Sequence, residues 1–186
     1  MNGLLVSTGV VALAEIGDKT QLLALVLACR WGKPVPIILG IFLATVLNHA
    51  AAALVGVTVT DFVGPEVLKW VLGLGFLAMA IWMLVPDKLD ADEGEPRAAK
   101  YGPFLATLVT FFLVEMGDKT QIATVALAAE FQTLWLVTLG TTLGMMIANV
   151  PVVVIGNKAA GRIPLALVRA VSAALFGILG VMALLW

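Results

Sequence analysis

Six long apolar runs limit what this chain can fold into more than any other feature of its sequence. Each run is long enough for a helix to cross the ~30 Å hydrocarbon core of a bilayer, which takes about 20 residues. A membrane β-barrel would instead alternate apolar and polar residues along strands of about 10 residues. Because these runs are continuously apolar, the sequence predicts an all-α integral membrane protein with six transmembrane helices. The runs cover residues 4–29, 35–58, 67–86, 103–129, 133–156 and 165–186.

The two halves of the chain repeat each other at a fixed offset of 100 residues. An acidic motif, EIGDKT, begins at Glu15 and returns as EMGDKT at Glu115. Such self-similarity indicates a duplicated structural unit. We therefore predict a three-helix repeat over residues 1–86, a polar cytosolic linker over 87–102 and a second three-helix repeat over 103–186. Because three spans are an odd number, the second repeat enters the membrane from the opposite side, and the repeats are inverted. Outside the motif, the same register pairs Gly40 with Gly140, Gly56 with Gly156 and Phe76 with Phe176.

The basic residues predict how the chain is oriented in the membrane. Of the nine Lys and Arg residues outside the two motifs, eight fall on one predicted side of the membrane and only Lys69 falls on the other. Cytoplasmic segments carry an excess of Lys and Arg, so we predict that both termini are non-cytosolic. The eight on the cytosolic side are Arg30, Lys33, Lys88, Arg97, Lys100, Lys158, Arg162 and Arg169.

Away from the ends of the apolar runs, the two motifs supply all the ionisable acids and bases except His49. Each charge would cost roughly 2.5 to 3.5 kcal/mol at a helix centre, so they are expected to line a protein-enclosed cavity. Glu and Asp are three residues apart and would share one helical face, which Lys, four beyond Glu, can also reach. Gly17 weakens the helix between them, and a break is expected there. The ionisable motif residues are Glu15, Asp18, Lys19, Glu115, Asp118 and Lys119.

Brought together, the two motifs would place four carboxylates beside two ammonium groups, and a divalent cation would neutralise the resulting charge. Oxygen ligands suit Mg²⁺, Ca²⁺ and Mn²⁺, whereas copper and zinc favour Cys and His. The single cysteine, Cys29, excludes a cysteine cluster. The predicted metal ligands are Glu15, Asp18, Glu115 and Asp118. The supporting motif residues are Gly17, Lys19, Thr20, Gln21, Gly117, Lys119, Thr120 and Gln121, and the second helix of each repeat offers Thr45, Asn48, His49 and Asn149 as further lining.

Several other interpretations fit the same residues. The motifs could be buried Glu–Lys ion pairs that fix helix packing, although Asp18 and Asp118 would then be left over. His49 could be a packing residue, a proton carrier or a ligand. The whole protein could export a small organic cation or amino acid, or act as a metal-dependent intramembrane enzyme or a scaffold. No basic arm or patch predicts binding of nucleic acid.

The duplicated motif, each copy in the first helix of a three-helix repeat, resembles the membrane family catalogued as uncharacterised protein family sixteen. That family includes transmembrane protein 165 of the Golgi and manganese exporters of bacteria and cyanobacteria. The resemblance covers essentially the whole chain. It implies cation/proton antiport with Mn²⁺ or Ca²⁺ as substrate, no cofactor, and Glu15, Asp18, Glu115 and Asp118 as ligands.

The chain also lacks the N-terminal extension and long central loop typical of eukaryotic members of that family. We therefore expect a bacterial-type plasma (inner) membrane protein that exports its cation from the cytosol. The oligomeric state stays open, with a homodimer as one option.

Overall fold

A computed structural model of the chain describes residues 2–86, 96, 98–155 and 165–185. All regular structure in these residues is helical, in agreement with the all-α prediction. A 3₁₀ helix at Ala99–Tyr101 precedes the second half of the chain. The α-helices are α1 Asn2–Glu15, α2 Lys19–Trp31, α3 Pro34–Phe62, α4 Pro65–Met83, α5 Pro103–Glu115, α6 Lys119–Phe131, α7 Leu134–Ile155 and α8 Leu165–Leu185.

Local sequence explains several helix ends. Three helices begin with proline, at Pro34, Pro65 and Pro103, where the missing N–H costs no helical hydrogen bond. The helix α2 ends at Gly32, whose φ of 59° is left-handed and whose N–H donates to a carbonyl of the last turn. At the equivalent point of the second half, Gln132 adopts a φ of 52°. The two halves therefore share their local geometry as well as their sequence.

Four helices, α3, α4, α7 and α8, are long and apolar enough to cross a membrane. The apolar runs 4–29 and 103–129 do not form single helices. Each is divided at its acidic motif, into α1 and α2 in the first half and into α5 and α6 in the second. The chain is thus a multi-pass helical membrane protein. Six spans result if each of the two divided runs crosses the membrane once, and this count stays a prediction.

Helices of one half pack closely against helices of the other. The helix α1 lies along α7 and α3 lies along α5. A Cβ placed on Gly140 would lie 2.9 Å from the Cβ of Ser7, and one on Gly40 would lie 2.8 Å from that of Thr107. Small residues allow membrane helices to approach this closely. The same contact therefore occurs twice with the halves exchanged, since Gly140 and Thr107 are the copies of Gly40 and Ser7.

The remaining pair, α4 and α8, packs together through Gly73 and Gly180. Phe76 and its copy Phe176 are buried there with ring centroids 6.2 Å apart. The outer faces of the helices carry large exposed apolar side chains such as Leu39. A contiguous apolar exterior of this kind is typical of a surface that meets lipid.

Part of the charge pattern lies outside the described residues, namely Lys88, Arg97, Lys158, Arg162 and most of the predicted linker. Arg30 and Lys33 lie at the junction of α2 and α3, and Lys100 lies in the 3₁₀ helix. Arg169 lies within α8 and not in a loop, just as its copy Lys69 lies within α4. The orientation of the chain remains a prediction.

Candidate cation site

Each acidic motif occupies a break between two short helices. The helices α1 and α5 end at Glu15 and Glu115, and the next helices begin four residues later. Gly117 has a φ of 78° and Gly17 a φ of 83°, a left-handed conformation that glycine adopts without steric cost. The break expected at Gly17 is confirmed. The expectation that Glu and Asp share one helical face is wrong, because the helix ends between them and a tight turn separates the two carboxylates.

The turn is closed in the same way in both halves. The N–H of the aspartate donates to the carbonyl of the glutamate three residues earlier, at 3.0 Å in the first motif and 3.2 Å in the second. The glycine N–H donates to the side-chain oxygen of Gln21 at 2.9 Å, and of Gln121 at 2.6 Å. Gln21 also donates to the carbonyl of Ala148 on α7 at 3.1 Å. The two glutamines therefore hold the shape of the breaks.

The two motifs meet at their aspartates. Asp118 lies close to Asp18, Glu115 and Lys19. Both aspartates are buried and occupy the N-cap positions of α6 and α2. Asp118 Oδ1 accepts a hydrogen bond from the backbone N–H of Lys119 at 2.7 Å. Two carboxyl groups, one at the N-terminus of α2 and one at the N-terminus of α6, thus lie at the centre of the candidate site.

Each motif glutamate is approached by a side chain from the long helix of the opposite half. Asn149 Nδ2, on α7, donates to Glu15 Oε1 at 3.2 Å. His49 Nε2, on α3, lies 3.6 Å from Glu115 Oε1. Thr120 Oγ1 also donates to Glu115 Oε1. His49 and Asn149 occupy equivalent positions, so these two predicted lining residues approach the two motif glutamates in an equivalent way.

Both motif lysines lie near groups outside their own motifs. Lys119 Nζ donates to the carbonyl of Val85 at 3.1 Å and lies 5.7 Å from the ring centroid of Trp82, both at the end of α4. Lys19 lies near Asp118, across the two motifs. The contacts of Lys119 with Val85 and Trp82 could not be predicted from sequence, because the partners are a backbone carbonyl and an aromatic face far away in the chain.

The remaining predicted residues line the surroundings of the breaks. Asn48 Nδ2 donates to the carbonyl of Phe112 at 3.0 Å and so ties α3 to α5. Thr20 Oγ1 lies 3.4 Å from Asp18 Oδ2. Thr45 is fully buried on α3, and its hydroxyl has no hydrogen-bond partner among the described residues.

The site offers buried oxygen atoms with unused capacity to bind. Glu115 Oε2 and Asp118 Oδ2 have no hydrogen-bond partner in the described part of the chain. Buried polar atoms are normally paired, and carboxylate oxygens are hard ligands for divalent cations. Within the same residues, no three side chains of His, Cys, Asp or Glu converge into a ready-made metal cluster. The donor set nevertheless has the chemistry that Mn²⁺ or Ca²⁺ requires.

Several known proteins are similar to this chain over most of its length. A Vibrio cholerae protein named "Putative manganese exporter" is 56% identical over 95% of this chain and 87% of its own length. A GDT1-like protein of Synechocystis is 28% identical over 82% of each chain. GDT1-like protein 4 of Oryza sativa is 29% identical over 91% of this chain and 68% of its own. No solved structure matches the chain.

A protein-family comparison covers both halves of the chain. Residues 3–91 and 103–186 match the family described as "Divalent cation/proton antiporter GDT1". The family resemblance inferred from the two motifs is thereby confirmed. Taken with the Vibrio cholerae relative, this match shows that the chain belongs to the GDT1 family of divalent cation/proton antiporters.

Proposed function

We propose that this protein exports a divalent cation, Mn²⁺ or Ca²⁺, from the cytosol in exchange for protons, through the site formed by the two acidic motifs. One observation carries the proposal: the duplicated aspartates Asp18 and Asp118 meet in a buried site between two broken helices. Broken helices whose ends point at a buried ion site are a recurring feature of secondary transporters.

The cation would bind to the motif carboxylates Glu15, Asp18, Glu115 and Asp118. Their formal charge of −4 is only half balanced by Lys19 and Lys119, and a divalent cation supplies the difference. Motif threonines and residues of α3 and α7 would complete the ligand shell. The ion is the cargo of the protein and not a resident cofactor.

The proposed architecture has six spans in two inverted repeats. The short helices α1 and α2 contain 14 and 13 residues, which correspond to about 21 and 20 Å at ~1.5 Å per residue. Together they are long enough for one interrupted span, and the same holds for α5 and α6. The proposal places both termini on the non-cytosolic side of a bacterial plasma membrane.

Exchange with protons follows from the chemistry of the ligands. Carboxylates bind a metal ion in their deprotonated form, so metal and protons compete for the same oxygen atoms. A cation that enters from the cytosol would displace protons, and protons that enter from the other side would release it. A single buried site can therefore couple the two flows in opposite directions.

Two alternatives lose support. The enzyme alternative is set aside by family membership, since the family consists of transporters. Export of an organic cation or amino acid would require a cavity lined largely by apolar and aromatic side chains. Around the motif acids the described partners are instead amide, hydroxyl and imidazole groups.

Transport by the purified protein in liposomes tests the proposal. With an acidic vesicle interior, Mn²⁺ or Ca²⁺ supplied outside should accumulate inside, and the interior pH should rise as protons leave. Empty liposomes and the Asp118→Asn variant are the controls. Metal uptake that is the same with and without the pH gradient, in vesicles shown to be proton-tight, would contradict the antiport mechanism.

A further inference from the structure

The two ends of the site differ at one pair of equivalent positions. Position 49 carries a histidine, and position 149, its copy, carries an asparagine. Both side chains are fully buried, and each faces the motif glutamate of the opposite half, at 3.6 Å for His49 and 3.2 Å for Asn149. The site therefore combines matched geometry with different donor atoms.

The asparagine end offers oxygen and not nitrogen as its free donor atom, because Asn149 Oδ1 has no hydrogen-bond partner among the described residues. Asn149 Nδ2 donates to Glu15 Oε1 and also contacts the carbonyl of Met145 at 3.1 Å and its Sδ at 3.0 Å. An amide nitrogen has two hydrogens and no lone pair to offer a metal ion. Asn149 therefore holds Glu15 in place through its nitrogen, and its oxygen is the one atom of the amide that could bind a cation.

The histidine end has unused donor atoms. Neither ring nitrogen of His49 has a hydrogen-bond partner among the described residues, and the same is true of Glu115 Oε2 and of Thr45 Oγ1, one turn earlier on α3. A neutral imidazole keeps one lone pair for a ligand. Several buried polar atoms without partners at one place, around a carboxylate, indicate a position where a bound cation would satisfy them.

We propose that His49 binds the transported cation together with Glu115 and makes the site prefer d-block divalent cations such as Mn²⁺ over Ca²⁺ and Mg²⁺. This inference rests on the proposed function. Imidazole nitrogen is a common ligand of transition metals, whereas Ca²⁺ and Mg²⁺ take oxygen ligands. The 3.6 Å between Nε2 and Glu115 Oε1 lets one ion bridge them, since two bonds of about 2.0–2.2 Å can span it.

The duplication supplies a matched set of variants. His49→Asn gives the histidine end the residue of the other end, and His49→Gln is a second replacement without an imidazole. Asn149→Ala removes support from Glu15 and leaves the imidazole in place. Transport of Mn²⁺ into proteoliposomes is measured against rising Ca²⁺, and the purified proteins are melted with Mn²⁺ alone and with Ca²⁺ alone.

We expect both His49 variants to lower the preference for Mn²⁺ over Ca²⁺ by roughly tenfold, the scale at which changes around a metal site act. Asn149→Ala should weaken both ions alike and leave the preference unchanged. An unchanged preference in a folded His49 variant that still transports would overturn the inference, and so would an equal loss of both ions in both variants. Absence of metal transport by the unaltered protein would instead refute the proposed function.

Discussion

At the residue scale, the site contains buried carboxylates, and an unoccupied charge of this kind is costly. An ionised side chain within a membrane costs roughly 2.5 to 3.5 kcal/mol on insertion scales. Asp18 and Asp118 occupy N-cap positions, where the helix dipole returns about 0.3–1 kcal/mol, or up to ~2 kcal/mol in buried geometries. We infer that the remaining cost favours the binding of a cation or of protons at these carboxylates.

Removal of one carboxylate should therefore weaken metal binding without unfolding the protein. Asp118→Asn and Glu115→Gln keep the side-chain volume and delete one negative charge each. We expect the Mn²⁺ concentration that gives half-maximal thermal stabilisation to rise roughly tenfold or more. The control is Glu130→Gln, an exposed acid on the same helix α6. If the site variants were stabilised by Mn²⁺ as strongly as the control, these acids would be structural.

The glycine of each break can be tested without steric interference. A Cβ on Gly117 would meet no atom within 4 Å, yet its φ of 78° is unfavourable for any L-residue. Gly117→Ala should cost about 1–2 kcal/mol through backbone strain alone. Gly177→Ala, also in open space but inside α8, should be neutral or stabilising. Melting temperatures of the two purified variants make the comparison, and equal temperatures would show that the left-handed turn is not required.

At the element scale, the sequence predicts what depends on composition and repetition and fails where tertiary contacts decide. Apolar runs and Gly17 were enough to predict helices and a break. The prediction that Glu15 and Asp18 share one helical face was wrong, because it assumed a continuous helix and a turn interrupts that helix. The contact of Lys119 with Val85 was equally hidden, since a buried lysine can be satisfied by any carbonyl that packing brings near. His49 and Asn149 could be predicted as lining residues because each is a polar residue in the apolar run that follows a motif.

The close crossing of α1 and α7 should be sensitive to a single methyl group. A Cβ on Gly140 would lie 2.6 Å from the carbonyl oxygen of Leu4, a backbone atom that cannot rotate away. Gly140→Ala should therefore cost about 1–3 kcal/mol through overpacking. Gly9→Ala on α1, where nothing lies within 4 Å, is the matched control. Thermal melting in detergent should separate the two variants, and equal stability would mean that the helices can move apart freely.

At the scale of the whole molecule, the repeated contacts fit the proposed mechanism, in which one site faces the two sides of the membrane in turn. Contacts made by Gly40 with α5 recur in those made by Gly140 with α1, and we infer that the two halves can exchange environments by equivalent movements. A transporter built this way needs no second site, because the same carboxylates become accessible from either side in turn.

Such a mechanism requires that the two halves cross the membrane in opposite directions, which fixes the topology. We predict that both termini are non-cytosolic and that residues 87–102 are cytosolic, because eight of the nine basic residues outside the motifs lie on that side of the predicted arrangement. Replacement of Cys29 by serine gives a background for single cysteines at position 2, within the linker and after residue 186. An impermeant thiol reagent added to intact cells should label the terminal cysteines and spare the linker, and the pattern should reverse in inverted vesicles. Labelling of the N-terminus and the linker from the same side would require an even number of spans in the first half and would exclude inverted three-span repeats.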